Sequence, residues 1–452
     1  MDKFEQLRQK YTDFYYHAFH IEENETEIHI VYDFEIRDLC EFHPTLTVPK
    51  KNTTVFSDKK VFRNAVFSLG MVELISYWKT ACPPHVTVEC GSLDDFQTAW
   101  WKKLYFYGLG EFFYKNEIET SMDAFMDLVS IGKEIEGKEL AQTYAGNLIP
   151  VGGGKDSFVT LHILEPYHKD NAAFVINPII SALNSAHTAG YHEGKDLVNV
   201  RRTLDQNMLD LNKKGFLNGH TPFSAMAAFA SYITAIVWGK KYITLSNENS
   251  ANESTIKGSK VNHQYSKTFE FEQDFHAYVE RYLDPEILYF SLLRPLSELQ
   301  IAGIFSTIKE ALPVFRSCNV GQKEGKWCGH CAKCLFVCLM MSAYLSQKDV
   351  IAIFGRDMLN DPEMMDLFDQ LSGITDDKPF ECVGTRDEVN IAICMSMRRE
   401  KDNLPLLFRH YQKTSYYPFY KDRSVDMLAY NEENFLPDAY AELVKKELEK
   451  NA

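Results

Sequence analysis

The chain has 452 residues, of which 45% are hydrophobic, and its formal net charge is −15. This length predicts two or three domains, and the apolar share is ordinary for a globular protein with a substantial core. The acidic balance argues against a broad nucleic-acid-binding surface, because phosphate backbones are bound mainly by clustered Lys and Arg. A local basic groove is compatible with this charge.

The termini and apolar stretches carry no targeting or membrane signal that we recognise. The N-terminal segment Met1–Gln6 is charged and lacks the apolar run of a cleavable signal. The most apolar stretch, Phe223 to Trp238, is shorter than the roughly 20 residues that span a bilayer, and it contains Ser231 and Thr234. We therefore predict a buried helix there, no membrane partner and a cytoplasmic location.

The first part of the chain mixes strand and helix patterns. Period-2 alternation in Glu27–Tyr32 and Leu46–Val48 predicts antiparallel strands, whereas the period is helical from Val61 to Trp78. Val86–Cys90 is a further short strand. The aromatic stretch Trp100–Phe113 should pack against another element, with a turn at its two glycines. These patterns predict an α+β domain over residues 1–145 that could hold a substrate pocket.

The pattern of predicted secondary structure changes near Asn147. Three strand-like segments alternate with helical stretches: Leu148–Val151, Ala173–Ile176 and Tyr242–Leu245, with helices after Asp156, around Asn184 and from Pro222 to Trp238. Such βα alternation predicts an α/β fold with a parallel sheet over residues 146–340. Residues 341–452 are expected to form a mainly helical C-terminal region.

The segment Gly152-Gly153-Gly154-Lys155-Asp156-Ser157 follows an apolar strand and opens an amphipathic stretch. Glycines let backbone N–H groups approach an anion, and a helix N-terminus adds its positive dipole end at the same point. Asp156 could then hold a divalent cation. The pattern is neither a Walker A loop, in which Ser or Thr follows Lys directly, nor a Gly-x-Gly-x-x-Gly fingerprint. A simple glycine-rich turn is the competing interpretation.

These residues resemble the Ser-Gly-Gly-x-Asp-Ser loop of the PP-loop ATP pyrophosphatases, with Gly152 in place of the first serine. The resemblance implies an HUP-like core that cleaves ATP between its α and β phosphates. It assigns the phosphates to Gly152, Gly153, Gly154, Lys155 and Ser157, and Mg²⁺ to Asp156. Because ligands of open parallel sheets bind at the carboxyl ends of strands, Ser246, Asn247 and Glu248 are expected to face the same ATP.

Four of the ten cysteines are close enough in sequence to surround one ion: Cys318, Cys328, Cys331 and Cys334. An iron–sulfur or redox arrangement uses similar spacing. Zinc is favoured because a similar quartet occurs in PP-loop relatives such as the queuosine-pathway deazaguanine nitrile synthases. His330 or Cys338 could replace one thiol. A closed site of four protein ligands is structural, with no open position for catalysis.

Three further features are candidates for chemistry. His220 lies before the long apolar helix, where Thr221 is expected to cap and Pro222 to occupy the first helical position. It is a candidate acid/base group or a histidine that satisfies a helix end. Cys382 could be a thiolate base or a small core residue. Arg201 and Arg202 could clamp an anionic substrate or form a solvated pair.

A longer resemblance covers most of the chain in islands. The segments Leu69–Lys79, Trp100–Glu111, Val151–Ser157, Val261–Ser266 and Phe380–Thr385 resemble the MurL family of UDP-N-acetylmuramoyl-L-alanyl-L-glutamate epimerases. The resemblance implies ATP-dependent conversion of a terminal L-Glu to D-Glu through an acyl-adenylate, in peptidoglycan precursor synthesis. It implies ATP and Mg²⁺ as cofactors and a UDP-muramoyl dipeptide as substrate. As catalytic residues we assign His220 and Cys382 to the two proton transfers and Asp156 to Mg²⁺.

Two other functions fit the same loop. A queuosine-like or tRNA-thiolating enzyme would adenylate a nucleobase, although the acidic charge counts against tRNA. A non-catalytic ATP-binding sensor would keep the fold without turnover, and the intact pair Asp156-Ser157 disfavours it. The sequence leaves the oligomeric state and the two proton-transfer groups open.

Overall fold

The computed structural model describes residues 2–137, 139, 142–249, 265–376, 379, 381, 383–401 and 403–452. Contacts divide the chain into two units, each assembled from three stretches. The first unit contains Met1–Leu148, Val198–Ile243 and Gln264–Tyr289, and the second contains Ile149–Leu197, Thr244–His263 and Phe290–Ala452. Both contain helices and strands, so the predicted α/β class is confirmed.

The strands are β1 Asp13–Glu23, β2 Glu27–Ile36, β3 Cys40–Phe42, β4 Thr45–Pro49, β5 His85–Val88, β6 Asp127–Ser130, β7 Asn147–Pro150, β8 Ala172–Ile176, β9 Leu197–Thr203, β10 Tyr242–Leu245 and β11 Leu288–Ser291. The first eight helices are α1 Lys3–Lys10, α2 Lys60–Trp78, α3 Asp95–Gly108, α4 Gly110–Lys115, α5 Lys155–Ile163, α6 Ile180–Thr188, α7 Gln206–Lys213 and α8 Phe223–Trp238. The remaining helices are α9 Phe269–Tyr282, α10 Glu298–Thr307, α11 Ala332–Ser342, α12 Gln347–Phe354, α13 Met365–Ser372, α14 Arg386–Glu400, α15 Leu406–Tyr411, α16 Tyr417–Tyr420 and α17 Asp438–Asn451.

The first unit is built on a mixed sheet around β2. Strand β2 pairs antiparallel with β1, β3 and β4, and β4 pairs antiparallel with β9. On the other side β1 runs parallel to β5, and β5 runs parallel to β6. Buried and half-buried residues alternate strictly along β2. One face of this strand therefore packs on the core, and the predicted antiparallel strands are confirmed.

Helices α2 and α8 pack together in the core of the first unit. Nearly every residue of α2 from Val61 to Trp78 is buried, and so is most of α8. Gly70 lets α2 approach the Tyr16 ring closely, since a Cβ there would collide with it. The buried helix predicted over the most apolar stretch is confirmed, and within the described residues no helix combines the length and apolarity needed to cross a bilayer.

The aromatic stretch of the first unit forms two helices, α3 and α4, that are separated at Leu109 between two glycines. A capping box of Asp94 and Gln97 begins α3. The Trp100 and Trp101 rings pack on Phe229 of α8. The break predicted at the two glycines is present, and the segment packs against another element as expected.

The second unit contains parallel-sheet segments followed by helices. Val151 N–H donates to the Phe174 carbonyl at 2.8 Å, and Leu292 N–H donates to the Leu245 carbonyl at 2.9 Å. The predicted parallel arrangement is also present in the first unit, where β7 pairs with β10 at Asn147–Tyr242 and Leu148–Ile243. Beyond β11 the described residues are helical or irregular. The mainly helical C-terminal region is thus confirmed.

Candidate active site

The glycine loop lies where sequence patterning placed it, between β7 and α5 in the second unit. Gly154 is the N-cap of α5 in an extended conformation, and no side chain caps the helix. The first backbone N–H groups of a helix have no intrahelical acceptor, and the dipole favours an anion at that end. Ser157 donates its hydroxyl hydrogen to the Gly154 carbonyl at 3.0 Å. This geometry suits a phosphate group at the start of α5.

Gly153 is the loop position at which only glycine fits. Its φ is +87°, and a Cβ would lie 2.7 Å from the Ser181 carbonyl carbon and 2.8 Å from the Ala182 nitrogen. A Cβ at Gly152, in contrast, would have nothing within 4 Å. The position at which the PP-loop pattern has serine therefore has room for a side chain, while its neighbour touches the start of α6.

Lys155 is buried and bound to two carboxylates. Its side chain is 1% exposed, and the ammonium contacts Asp156 and Glu298. Burial lowers the pKa of Lys155, but the charges of Asp156 and Glu298 outweigh burial and raise its pKa above the usual range. The ammonium therefore stays protonated, and its hydrogen bonds orient the Asp156 carboxylate, which keeps 27% of its surface exposed.

Glu298 shares this ammonium at the start of α10. Burial raises the pKa of Glu298 to about 8, with Lys155 opposing the shift and Asp156 and Glu248 adding to it. Raised pKa values for both Lys155 and Glu298 are consistent, because one ammonium cannot fully neutralise the buried Glu298 and the neighbouring Asp156. Glu388 accepts a hydrogen bond from the Glu298 backbone N–H at 2.7 Å, and burial also raises the pKa of Glu388.

The loop after β10 lies against the same helix. The Ser246 hydroxyl donates to Thr160 Oγ1 of α5 at 2.8 Å, and Asn247 Nδ2 donates to Ser291 Oγ at 3.2 Å. The Glu248 carbonyl accepts from the buried Arg294 guanidinium at 2.9 Å. Ser246 thus contacts the helix that follows the glycine loop, whereas Asn247 and Glu248 contact the end of β11 and the residues after it.

The four predicted cysteine ligands converge. The Sγ atoms of Cys318, Cys328, Cys331 and Cys334 all lie within 4.8 Å of one another, and three of the pairs are 3.5 to 4.0 Å apart. Zn–S bonds of about 2.3 Å in a tetrahedron imply sulfur–sulfur edges of roughly 3.8 Å, whereas a disulfide would need about 2.05 Å. The distances match a shared tetrahedral ion and exclude a disulfide.

The surroundings of the quartet favour a thiolate at Cys331, whereas the pKa values of Cys328 and Cys334 are raised. Backbone N–H groups of Gly321 and Cys328 point at Cys318 Sγ, at 3.1 and 3.4 Å. The hydrogen bond between the Cys331 and Cys334 sulfurs, which lie 3.5 Å apart, is the largest cause that lowers the pKa of Cys331 to about 5. Neither alternative ligand belongs to the quartet, because His330 contacts Arg356 and Cys338 is 1% exposed in the core.

The segment that begins the cysteine quartet also holds the glycine loop. Arg316 N–H donates to the Gly153 carbonyl at 2.8 Å, and Gln322 Nε2 donates to the Gly152 carbonyl at 2.9 Å. Cys318 lies between these two donors in sequence. An ion at the quartet would therefore fix the segment from Arg316 to Gln322, which orients two loop carbonyls through hydrogen bonds. The backbone N–H groups of the loop are then left to face a ligand.

His220 belongs to the first unit, in a segment anchored on both sides. Its Nδ1 lies 4.0 Å from Glu111 Oε2, and the buried Lys79 ammonium donates to the Gly219 carbonyl. The expected cap is wrong in detail: α8 begins at Phe223, its N-cap is Pro222, and no side chain caps it. The Thr221 carbonyl accepts from Phe223 N–H instead, at 2.6 Å, so Pro222 precedes the first helical residue.

Both predicted arginines of β9 have carboxylate partners. Arg202 is 11% exposed and makes a bidentate contact with the buried Glu73, with Nη2 to Oε2 at 2.7 Å. Arg201 is 66% exposed and pairs with Glu27 at 3.1 Å. The alternation of side chains along β9 explains this difference in exposure, because consecutive residues of a strand point to opposite faces.

Comparison with known proteins identifies the family. The profile described as the MurL N-terminal domain matches residues 5–292, which is more than half of the chain, and the profile described as the MurL C-terminal domain matches residues 314–416. The chain belongs to the MurL family. This confirms the resemblance drawn from the sequence islands.

Curated relatives in the MurL family carry one name, UDP-N-acetyl-alpha-D-muramoyl-L-alanyl-L-glutamate epimerase. The protein of Xanthomonas oryzae pv. oryzae is 32% identical over 345 residues, covering 75% of each chain. The protein of Salinispora tropica is 33% identical over 341 residues, covering 72% of each chain, and that of a Micromonospora strain is 33% identical over 342 residues, covering 74% of each. No solved structure matches this MurL-family chain.

Other predicted residues of this MurL chain fall outside the described part. Cys382, the candidate thiolate, lies there, as do residues 261–264 and 380 of the sequence islands. Gly384, two residues after Cys382, is described, and a Cβ there would lie 3.0 Å from Glu298 Cγ. The segment that follows Cys382 therefore reaches the Glu298 side chain.

Sequence reasoning missed four residues around the glycine loop: Ser181, Glu298, Arg294 and Glu388. Ser181 is 1% exposed, and its hydroxyl has no hydrogen-bond partner among the described residues. The sequence near Glu298 and at Glu388 contains two capping-box patterns, Ser297-x-x-Gln300 and Thr385-x-x-Glu388. Such patterns predict where a helix begins, but they do not predict a functional site. Nothing in the spacing links Glu298 to Lys155, 143 positions away.

Proposed function

We propose that this protein is an ATP-dependent epimerase that converts the terminal L-Glu of UDP-MurNAc-L-Ala-L-Glu to D-Glu, in peptidoglycan precursor synthesis. The curated MurL relatives bear the name of this activity. The observation that carries the ATP dependence is the glycine loop at the start of α5, with Gly153 at φ +87° and the partly exposed Asp156 beside it. On this proposal the chain is an isomerase of the PP-loop ATP pyrophosphatase superfamily.

Adenylation of the substrate carboxylate removes the main obstacle to epimerisation, which is the low acidity of the α-proton. An ionised carboxylate resists loss of the neighbouring α-proton, because the carbanion would form beside an existing negative charge. The α-carboxylate of the terminal glutamate attacks the α-phosphorus of ATP, the bond to the bridging oxygen breaks, and pyrophosphate leaves. The resulting acyl-adenylate has an acidic α-hydrogen. In this scheme Gly152, Gly153, Gly154 and Ser157 bind the phosphates, and Lys155 orients Asp156.

Inversion then needs two proton transfers at one carbon. One group removes the α-proton, a second returns a proton to the opposite face, and water cleaves the acyl–phosphate bond to release AMP. Groups positioned in this way typically contribute about 100- to 10,000-fold in rate. We assign the transfers to His220, with Glu111 beside it, and to Cys382. Arg201 and Arg202 stay candidates for substrate binding.

Two metal ions fit the side chains. Asp156 would hold Mg²⁺, which neutralises the pyrophosphate leaving group when bound. The quartet Cys318, Cys328, Cys331 and Cys334 would hold Zn²⁺, whose closed tetrahedral site stabilises the fold and supplies no chemistry to the reaction. The nine cysteines that the structure describes are all free, which supports a reducing compartment and hence a cytoplasmic location.

Deuterium exchange tests the proposed function and its proton-transfer groups together. The purified protein is incubated with ATP, Mg²⁺ and UDP-MurNAc-L-Ala-L-Glu in D₂O, and glutamate chirality and α-carbon deuterium are measured. We expect D-glutamate with one solvent deuteron in the wild type. Loss of acid/base catalysis should lower uptake by about 100-fold or more in His220→Ala and Cys382→Ala.

Matched controls are His85→Ala, an exposed histidine of the same unit that pairs with Asp127, and Cys40→Ala. Both should take up deuterium like the wild type. Wild-type protein that leaves the glutamate L-configured and unlabelled would refute the function. Unchanged uptake in His220→Ala or in Cys382→Ala would remove that residue from the mechanism.

A further inference from the structure

A cavity of about 560 Å³ opens in the first unit, and no motif of the sequence pointed to it. This volume falls within the range of about 300–1,000 Å³ that is typical of small-molecule sites. Its wall includes three basic residues, Lys60, Arg63 and Lys133, and three acidic ones, Glu89, Glu134 and Glu136. Ala18, Phe19, Cys90 and Ile135 add a less polar surface.

The cavity lies at the carboxyl ends of parallel strands. Strands β5 and β6 end at Val88 and Ser130, and the residues that line the cavity follow immediately after them. Strand β1, parallel to β5, has an irregularity at His17, just before the lining residues Ala18 and Phe19. In open sheets, ligands bind outside the carboxyl ends of parallel strands, and bulges often lie next to such sites.

Pairing inside the wall leaves two basic groups without a carboxylate partner among the described residues. Glu89 binds His17 at 2.7 Å, and Lys60 binds Glu136 and Glu139, each at 2.7 Å. The Arg63 guanidinium stacks on the Phe19 ring at 5.3 Å, and its only hydrogen bond to a described residue goes to the Ser57 carbonyl. Lys133 is exposed and forms no ion pair with a described residue.

We propose that this cavity binds the diphosphate of a nucleoside diphosphate sugar, with Arg63 and Lys133 as the phosphate-binding groups. The inference rests on the proposed function, whose substrate carries such a diphosphate. A stacked guanidinium presents a planar set of donors that matches phosphate oxygens, and a lysine on a loop adds a mobile positive charge. The Phe19 ring centroid lies 5.3 Å from the Arg63 guanidinium carbon, a distance typical of a cation–π contact.

The cavity is distinct in composition from the glycine loop. All of its lining residues belong to the first unit, whereas the loop and Asp156 belong to the second. Of the acidic wall residues, Glu89 and Glu136 are engaged by His17 and Lys60, whereas Glu134 forms no ion pair with a described residue. Competition between UDP and ATP therefore decides which phosphate ligand the wall binds.

Calorimetric titration of the full-length protein with UDP tests the assignment. Loss of charged hydrogen bonds typically weakens binding by about 10- to 100-fold, so Arg63→Met with Lys133→Met should bind UDP at least tenfold more weakly than the wild type. The KM for UDP-MurNAc-L-Ala-L-Glu should rise by a similar factor, with kcat and the ATP affinity unchanged. Matched controls are Arg37→Met, which also stacks on an aromatic ring of β1, and the exposed Lys213→Met.

Each result decides a separate question. Equal UDP affinity in the wild type and the double variant overturns the site, as does a wild type that fails to bind UDP or from which ATP displaces UDP. Weakened UDP binding together with absent epimerisation in the wild type keeps the site and refutes the proposed function. If the double variant fails to fold, Lys133→Met alone, which removes an exposed side chain, should still weaken UDP binding.

Discussion

Two adjacent glycines of the phosphate loop meet different physical constraints. Gly153 combines a left-handed φ with backbone contact to the start of α6, whereas Gly152 faces open space. A side chain in the left-handed region costs about 1–2 kcal/mol, and backbone atoms at 2.7 Å cannot yield as a flexible side chain would. The loop therefore depends on one glycine far more than on its neighbour.

Gly153→Ala should accordingly lower substrate-dependent pyrophosphate release by at least about tenfold and lower the thermal unfolding temperature, because the strained loop withdraws its N–H groups from the phosphates. Gly152→Ala is the matched control and should stay within about twofold of the wild type. Pyrophosphate release and a thermal melt measure both effects. Wild-type turnover in Gly153→Ala would show that this loop conformation is not needed for ATP cleavage.

Residue-level prediction reached only those groups that are neighbours in sequence. The order glycine, lysine, aspartate, serine placed Asp156 at the start of a helix, because local backbone chemistry determines that geometry. The carboxylate that shares the Lys155 ammonium comes from Glu298, and tertiary folding alone brings it there. The orphaned hydroxyl of Ser181 at the start of α6 depends on the same long-range packing.

At the scale of elements, one chain segment connects the cysteine quartet to the glycine loop. The segment from Arg316 to Gln322 includes a predicted metal ligand, Cys318, and donates two hydrogen bonds to the loop carbonyls. Metal binding in such sites is coupled to folding, since thiolates that lose their ion repel one another. We propose that the quartet acts on catalysis through the position of the loop.

Removal of the metal should therefore weaken ATP binding as well as stability. We expect Cys331→Ser, or treatment with a zinc chelator, to lower bound metal, to lower the thermal unfolding temperature and to raise the Kd of ATP by about tenfold. Cys40→Ser, at a half-buried cysteine outside the quartet, is the control and should leave all three unchanged. An unchanged ATP Kd after complete loss of metal would contradict the coupling between the quartet and the loop.

Element-level prediction succeeded where one period or one spacing governs the structure. Alternation predicted β2 and β4, the helical period predicted α2, the most apolar stretch predicted α8, and the spacing of four cysteines predicted a cluster. It was wrong about the start of α8, because a proline can be either the first helical residue or the cap before it. The strand β9 that carries Arg201 and Arg202 was not distinguished from a loop.

At the scale of the whole molecule, long-range assembly limits what one sequence reveals. Each unit combines three stretches of chain, and strands β7, β9, β10 and β11 have residues in both units. Hydrophobic periodicity identifies each strand but does not say which distant strand it pairs with. The division into residues 1–145, 146–340 and 341–452 stays a prediction, as does the PP-loop superfamily assignment.

The central claim is that ATP is cleaved between its α and β phosphates to activate a carboxylate. The direct measurement is ³¹P NMR of the nucleotide products after incubation of the full-length protein with ATP, Mg²⁺ and UDP-MurNAc-L-Ala-L-Glu, with Asp156→Asn in parallel. We predict equal amounts of AMP and pyrophosphate that depend on the dipeptide substrate, and loss of both in Asp156→Asn. Formation of ADP and inorganic phosphate instead would contradict the account.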